Sequence, residues 1–194
     1  MTTYDRTTAL VIIDVQNDFA DPKGSLHVPN GAEIVPLVNA EIAAAHQAGA
    51  SVYYAQDWHP PSTPHFQKDG GIWPVHCVED TWGAEFHPEL TVDGPIVRKG
   101  DDGRDGYSGF SARDPRSGEL SVTPLDSMLK ATERERLIVC GLASDYCVLE
   151  TVLDAVRLGY QVEVLSAAIR AVDLRASDGE RALERMRAAG ARIA

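Results

Sequence analysis

The stretch LIVCGLASDYCVLETVLDAVRLGYQVEVL, residues 137–165, reads as strand, turn, helix and strand in immediate succession. Leu137-Ile138-Val139-Cys140 is a short apolar, β-branched run, the pattern of a strand buried on both faces. From Cys147 to Leu158 the apolar residues recur at helical spacing, and Gly159 follows as a C-terminal cap. Gln161 to Leu165 then reads as a second strand. A strand that reaches its successor through a helix belongs to a parallel sheet. The same alternation extends outward. Ala9 to Ile13 reads as the first strand, Ile34 to Ala48 as a helix ended by Gly49, Val52 to Gln56 as the next strand, and Ile96 to Arg98 as a short third. A polar, glycine-rich loop runs on to Gly118, and Pro124 to Thr132 reads as a helix opened by proline. Beyond Leu165, Ser177 to Ala189 reads as a helix with Ser177 as N-cap and Gly190 as terminator, and Ala191 to Ala194 supplies a sixth, edge strand. The expectation is one doubly wound α/β domain over residues 1–194, with a mainly parallel six-stranded sheet covered on both faces.

Composition narrows the function classes. With 194 residues and 44% hydrophobic content, the chain can bury a substantial core. A net charge of −11 argues against nucleic acid as a partner, because phosphate backbones need clustered Lys and Arg. Met1 to Thr8 is polar and leads into five apolar residues, Ala9 to Ile13, before Asp14 interrupts, so neither a signal peptide nor a membrane span is expected there. The three cysteines include no Cys-x-x-Cys, which argues against a disulfide scaffold or a cysteine-only zinc site and suits a reducing cytoplasm. No Gly-x-Gly-x-x-Gly follows the first strand, which sets a dinucleotide-binding module aside. A small-molecule ligand is the class that remains.

Four reactive side chains fall at carboxyl ends of strands: Asp14 after the first, Asp57 after the second, Lys99 after the third, and Cys147 a short turn after the fourth. Open parallel sheets bind ligands outside those ends, so the topology places all four on one rim. Cys147 also opens a helix, where unpaired N–H groups and the helix dipole favour a thiolate; Cys140, inside a strand, reads as a buried small hydrophobe. The stretch from Asp57 to Pro95 has no helical or alternating period, yet it holds all three tryptophans and four of the six histidines. So long a loop is expected to build a site rather than to be disordered. Within it Asp57, His59, His65 and His76 suit a divalent transition metal such as zinc, iron or manganese. His27, His46 and His87 lack such company and read as structural.

The contexts Val-Ile-Ile-Asp14-Val-Gln-Asn-Asp-Phe, Val-Arg-Lys99-Gly and Gly-Leu-Ala-Ser-Asp-Tyr-Cys147-Val resemble the Asp-Lys-Cys triad of the isochorismatase-like cysteine hydrolases, whose fold is Rossmann-like. Asp57-Trp58-His59, His65 and Trp73-Pro74-Val75-His76-Cys77 narrow the resemblance to the nicotinamidase/pyrazinamidase branch, over essentially the whole chain. The resemblance implies catalytic Asp14, Lys99 and Cys147, an oxyanion hole from the N–H groups of Ala143 and Cys147, and a cis peptide between Leu142 and Ala143. It also implies one metal ion, most simply zinc, held by Asp57, His59, His65 and His76, with no organic cofactor. Phe19, Trp73 and Tyr107 match positions that line the family's substrate pocket, and flat aromatic walls suit a pyridine ring.

The implied activity is hydrolysis of nicotinamide, and of pyrazinamide, to the acid and ammonia through a Cys147 thioester, in pyridine nucleotide salvage in the cytoplasm. The partner is then a small aromatic carboxamide, with no nucleic acid and no membrane, and the choice between monomer and homo-oligomer stays open. Two alternatives remain: an isochorismatase-like hydrolase acting on another carboxamide or a ureido acid, and a non-catalytic metal- or redox-sensing protein using Cys77 and Cys147.

Overall fold

The computed structural model describes residues 3–194. The first half of the chain forms β1 (Thr8–Ile13), α1 (Asn17–Ala20), α2 (Val35–Gln47), β2 (Ser51–Asp57) and β3 (Ile96–Lys99). The second half adds β4 (Ser111–Arg113), β5 (Leu120–Val122), α3 (Leu125–Ala131), β6 (Arg136–Leu142), α4 (Cys147–Arg157), β7 (Gln161–Arg170), α5 (Asp178–Ala189) and β8 (Arg192–Ile193). Six strands make one sheet in the order β3-β2-β1-β6-β7-β8, every pair parallel. The expected α/β architecture, with its edge strand near the C-terminus, is the observed one.

Central β1 is buried along its whole length, and its alternate side chains enter two cores. Leu10 and Ile12 pack with Val35, Val38 and Ile42 of α2 on one face. Ala9, Val11 and Ile13 face Leu125 and Leu129 of α3, Val148 and Val152 of α4, and Met186 of α5 on the other. Double-sided burial is why β1 and the start of β6 read as unbroken apolar runs, each fully buried Leu or Ile contributing about 1.5–3 kcal/mol. From β1 the chain winds to β2 and β3; from β6 it winds the opposite way to β7 and β8. The crevice outside the ends of β1 and β6 is therefore the switch point where such sheets bind ligands.

Gly141 lets these two strands meet. Its φ is +118°, and a Cβ there would lie 2.1 Å from the carbonyl oxygen of Ile13. The pairing of β6 with β7 shifts register between Val139 and Gly141, and the Leu142–Ala143 peptide is cis.

Three expectations need correcting. β7 runs to Arg170 rather than stopping at Leu165, resuming its pairing with β6 at Gly141–Ile169; exposed Ser166 and Ala167 break its apolar pattern. The polar loop read up to Gly118 contains β4, which pairs antiparallel with β5 just beyond it; these three-residue strands are too short to show a period. Ser177 precedes α5 but makes no side-chain cap: its left-handed φ of +66° is not the extended geometry that turns a hydroxyl onto the first helical turn. The stretch from Asp57 to Pro95 is ordered by burial of Trp58, Phe66, Trp73 and Cys77, with two short 3-10 turns, at Gln67–Asp69 and Trp82–Ala84. Among the described residues no helix is long and apolar enough to cross a membrane.

Candidate active site

Parallel pairing sets Asp57 of β2 beside Lys99 of β3, and the Lys99 side chain reaches beneath the switch point. Its Nζ lies 2.7 Å from Asp14 Oδ2, 3.0 Å from Asp57 Oδ1 and 3.7 Å from Cys147 Sγ. One buried ammonium thus touches two carboxylates and the thiol. Asp14 leaves β1 with φ +48°, which turns its side chain into this cluster. Burial works against the charge on Lys99, but Asp14 and Asp57 outweigh it and hold the ammonium well above its ordinary pKa. Burial also raises Asp14, to about 6, because Lys99 offsets it only in part and Asp57 adds repulsion. Asp57 goes the other way: despite burial, His59 and Lys99 draw it well below the usual carboxylate range.

The helix-terminus expectation for Cys147 does not survive this setting. Its residue is 8% exposed, and burial pushes the thiol well above its ordinary pKa; Lys99 pulls it down, while Asp14 and Asp57 push it up. Burial and the neighbouring carboxylates outweigh the favourable helix terminus, and the resting group is a thiol. Cys77 and Cys140 are fully buried with raised pKa values, chiefly from burial. Such protonated, inaccessible thiols do not suit redox sensing.

The turn from Leu142 to Cys147 is held by three amides: Ser144 donates to Arg170 O at 2.8 Å, and Tyr146 and Val148 both donate to Ala143 O at 3.1 Å. This brings Ala143 and Cys147 together on the wall of the cavity described below.

His59, His65 and His76 are buried, with a ligand atom of each within 4.8 Å of the others. Asp57 Oδ2 completes the arrangement, 3.1 Å from His59 Nε2 and 3.4 Å from His76 Nε2. At metal–ligand bonds of about 2.1 Å, neighbouring donors sit roughly 3.0 Å apart in an octahedron and 3.4 Å apart in a tetrahedron, so the two Asp57–histidine spacings suit ligands of one small divalent ion, with His65 close by. Donor chemistry agrees. Asp57 is held anionic, burial lowers the pKa of His65, and a carboxylate with neutral imidazoles is what ligation requires. His76 turns Nδ1 to the carbonyl oxygen of Pro74, 2.8 Å away, which leaves Nε2 for a metal. His46 lies apart, paired with Asp93 at the surface.

Between metal cluster and thiol lies a small cavity lined by Phe19, Trp73 and Tyr107 together with Asp57, His65, His76, Ala143 and Cys147. Trp73 Nε1–H donates to the Tyr107 hydroxyl at 2.7 Å. Every residue that the sequence singled out for triad, oxyanion hole, metal or pocket is thus brought to one crevice.

Residues 8–194 match the isochorismatase domain. The chain belongs to the isochorismatase family. Within that family it falls in the nicotinamidase/pyrazinamidase branch. It is 37% identical to the nicotinamidase of Escherichia coli, over 95% of this chain and 93% of that one. The pyrazinamidase of Pyrococcus horikoshii, solved in complex with zinc, superposes with a TM-score of 0.86 at 38% identity, covering 97% of this chain and 98% of that one. PnC1 of L. infantum, solved in complex with nicotinate, gives a TM-score of 0.90 at 32% identity, covering 100% and 95%.

Four residues that the sequence did not flag complete this isochorismatase-family site. Tyr146 packs edge-on against Trp73 with ring centroids 4.8 Å apart, and it lines the cavity. Gln16 clamps the end of β2, accepting from Asp57 N at 2.8 Å and donating to Asp57 O at 2.7 Å. Asp18 accepts from Cys77 N at 2.7 Å, which fixes the backbone next to His76. Asp105 contacts His65 Nδ1. Gln16 and Asp18 sit in the Asp14 motif itself, but their partners lie dozens of residues away. Only the folded chain pairs them.

Proposed function

We propose that this protein is a metal-dependent cysteine amidase that hydrolyses nicotinamide, and pyrazinamide with it, to the carboxylic acid and ammonia. The observation that carries the reading is Lys99, whose ammonium joins thiol, base and metal-side carboxylate beside an aromatic-walled cavity. Free, unpaired cysteines support a cytoplasmic setting, in pyridine nucleotide salvage.

The flat amide enters between Phe19, Trp73, Tyr107 and Tyr146, its carboxamide carbon toward Cys147. Because Cys147 rests as a thiol and Asp14 has a pKa near 6, ionisation accompanies attack. The thiol proton passes to Asp14 as sulfur bonds to the carbonyl carbon. The C=O electron pair moves onto oxygen, where the N–H groups of Ala143 and Cys147 meet it; each such donor typically contributes about 2.7–4 kcal/mol. Collapse re-forms C=O and breaks the C–N bond, and Asp14 returns its proton to the departing ammonia. Asp14, again a carboxylate, takes a proton from water as the water attacks the thioester. Sulfur leaves and recovers that proton. Lys99 keeps its charge throughout, orienting Asp14 and offsetting the transient negative charge on sulfur. A divalent ion held by Asp57, His59, His65 and His76 would supply Lewis-acid anchoring for a ring nitrogen or water, orienting the substrate rather than cleaving it.

Ammonia release from nicotinamide, measured before and after metal removal and restoration, tests both halves. Turnover that falls with chelation and returns with zinc supports the reading; absence of ammonia from the metal-replete protein overturns it.

A further inference from the structure

Within the three-histidine cluster, His65 is set apart by a carboxylate on Nδ1 that lies outside the donor set. Asp105 Oδ1 lies 2.5 Å from its Nδ1. His76 instead uses a backbone carbonyl, and His59 Nδ1 has no hydrogen-bond partner among the described residues. With Nδ1–H directed at Asp105, the remaining His65 nitrogen is Nε2, which carries the free lone pair. Asp105 is itself fixed: its N–H donates to Arg113 O at 2.7 Å and its C=O accepts from Arg113 N at 2.9 Å, a bridge that anchors it to the β4–β5 hairpin. The same segment leads through Gly106 to Tyr107 on the cavity wall.

We propose that Asp105 is a positioning residue for the metal centre: held by the β4–β5 hairpin, it fixes the tautomer and ring orientation of His65 so that Nε2 faces the ion. The hairpin gains a role by this, as the scaffold that ties the histidine loop to the substrate wall. The inference rests on the metal reading above, but it concerns one carboxylate outside the donor set. Partners of this kind typically change metal affinity 10–100-fold.

The test is zinc affinity of the metal-free protein, by competition with a chromophoric chelator, for wild type, Asp105→Ala, Asp105→Asn and His65→Ala. Asp105→Ala should weaken zinc binding by about 10–100-fold while the metal-free protein unfolds at the wild-type temperature. Asp105→Asn keeps an oxygen acceptor and should fall between the two. In the His65→Ala background, Asp105→Ala should have no further effect. Wild-type affinity in both Asp105 variants overturns the proposal, as does an undiminished loss in the His65→Ala background. Failure of the metal reading looks different: wild type itself then takes up no zinc.

Discussion

Asp14 and Cys147 share a proton economy in which neither residue has its solution character. Burial lifts Asp14 to about 6 and holds the thiol well above its ordinary pKa, so the competent pair is carboxylate plus thiol. As pH falls through 6, Asp14 takes up a proton and can no longer accept one. kcat/KM should therefore drop on the acid side with an apparent pKa near 6, visible in a pH–rate profile with nicotinamide that Asp14→Asn abolishes, and an acid limb down at 4 would mean that burial does not raise Asp14. Cys147→Ala should lower ammonia release by several orders of magnitude while leaving zinc uptake and the circular dichroism spectrum unchanged; near-normal turnover would reassign the nucleophile. Lys99 is different, because its loss costs stability as well as chemistry. Lys99→Met leaves two buried carboxylates without their cation and should destabilise the fold by about 3–5 kcal/mol in urea titration.

Among the elements, the β1–β6 pairing is the least forgiving. An alanine at Gly141 would drive its Cβ to 2.1 Å from the Ile13 carbonyl at a φ of +118°. Gly141→Ala should therefore cost more than about 3 kcal/mol by denaturant unfolding. A neutral outcome would mean that the strands can separate there freely. The central strands of the main sheet were legible in the sequence because their residues are buried on both faces, as in Ala9 to Ile13 and Leu137 to Cys140. The hairpin at Ser111–Arg113 and Leu120–Val122 was not, since short, half-exposed strands obey no period. Asp14, Asp57, Lys99 and Cys147 stood out because strand ends are visible in a linear pattern. Asp105 and Tyr146 did not, because what distinguishes them is a contact with a residue dozens of positions away.

At the scale of the whole molecule, the two sides of the switch point carry different parts of the site. β1, β2 and β3 supply Asp14, Asp57 and Lys99, and β6 leads to Cys147. The histidine loop between β2 and β3 closes the crevice over them. Zinc binding only the native arrangement should raise stability by mass action, by about 2.7 kcal/mol at a hundred times its dissociation constant. A melting temperature that does not move with zinc in metal-free protein would count against a native-state metal site. The single Lys99 ammonium spanning Asp14, Asp57 and Cys147 also constrains redesign. An engineer seeking a metal-free amidase in this scaffold who exchanges the three histidines keeps Lys99 between its two carboxylates but loses His59, which with Lys99 holds Asp57 anionic. Exchanging Asp57 as well removes half of what neutralises the lysine, and the redesign then has to supply a new anion at the end of β2.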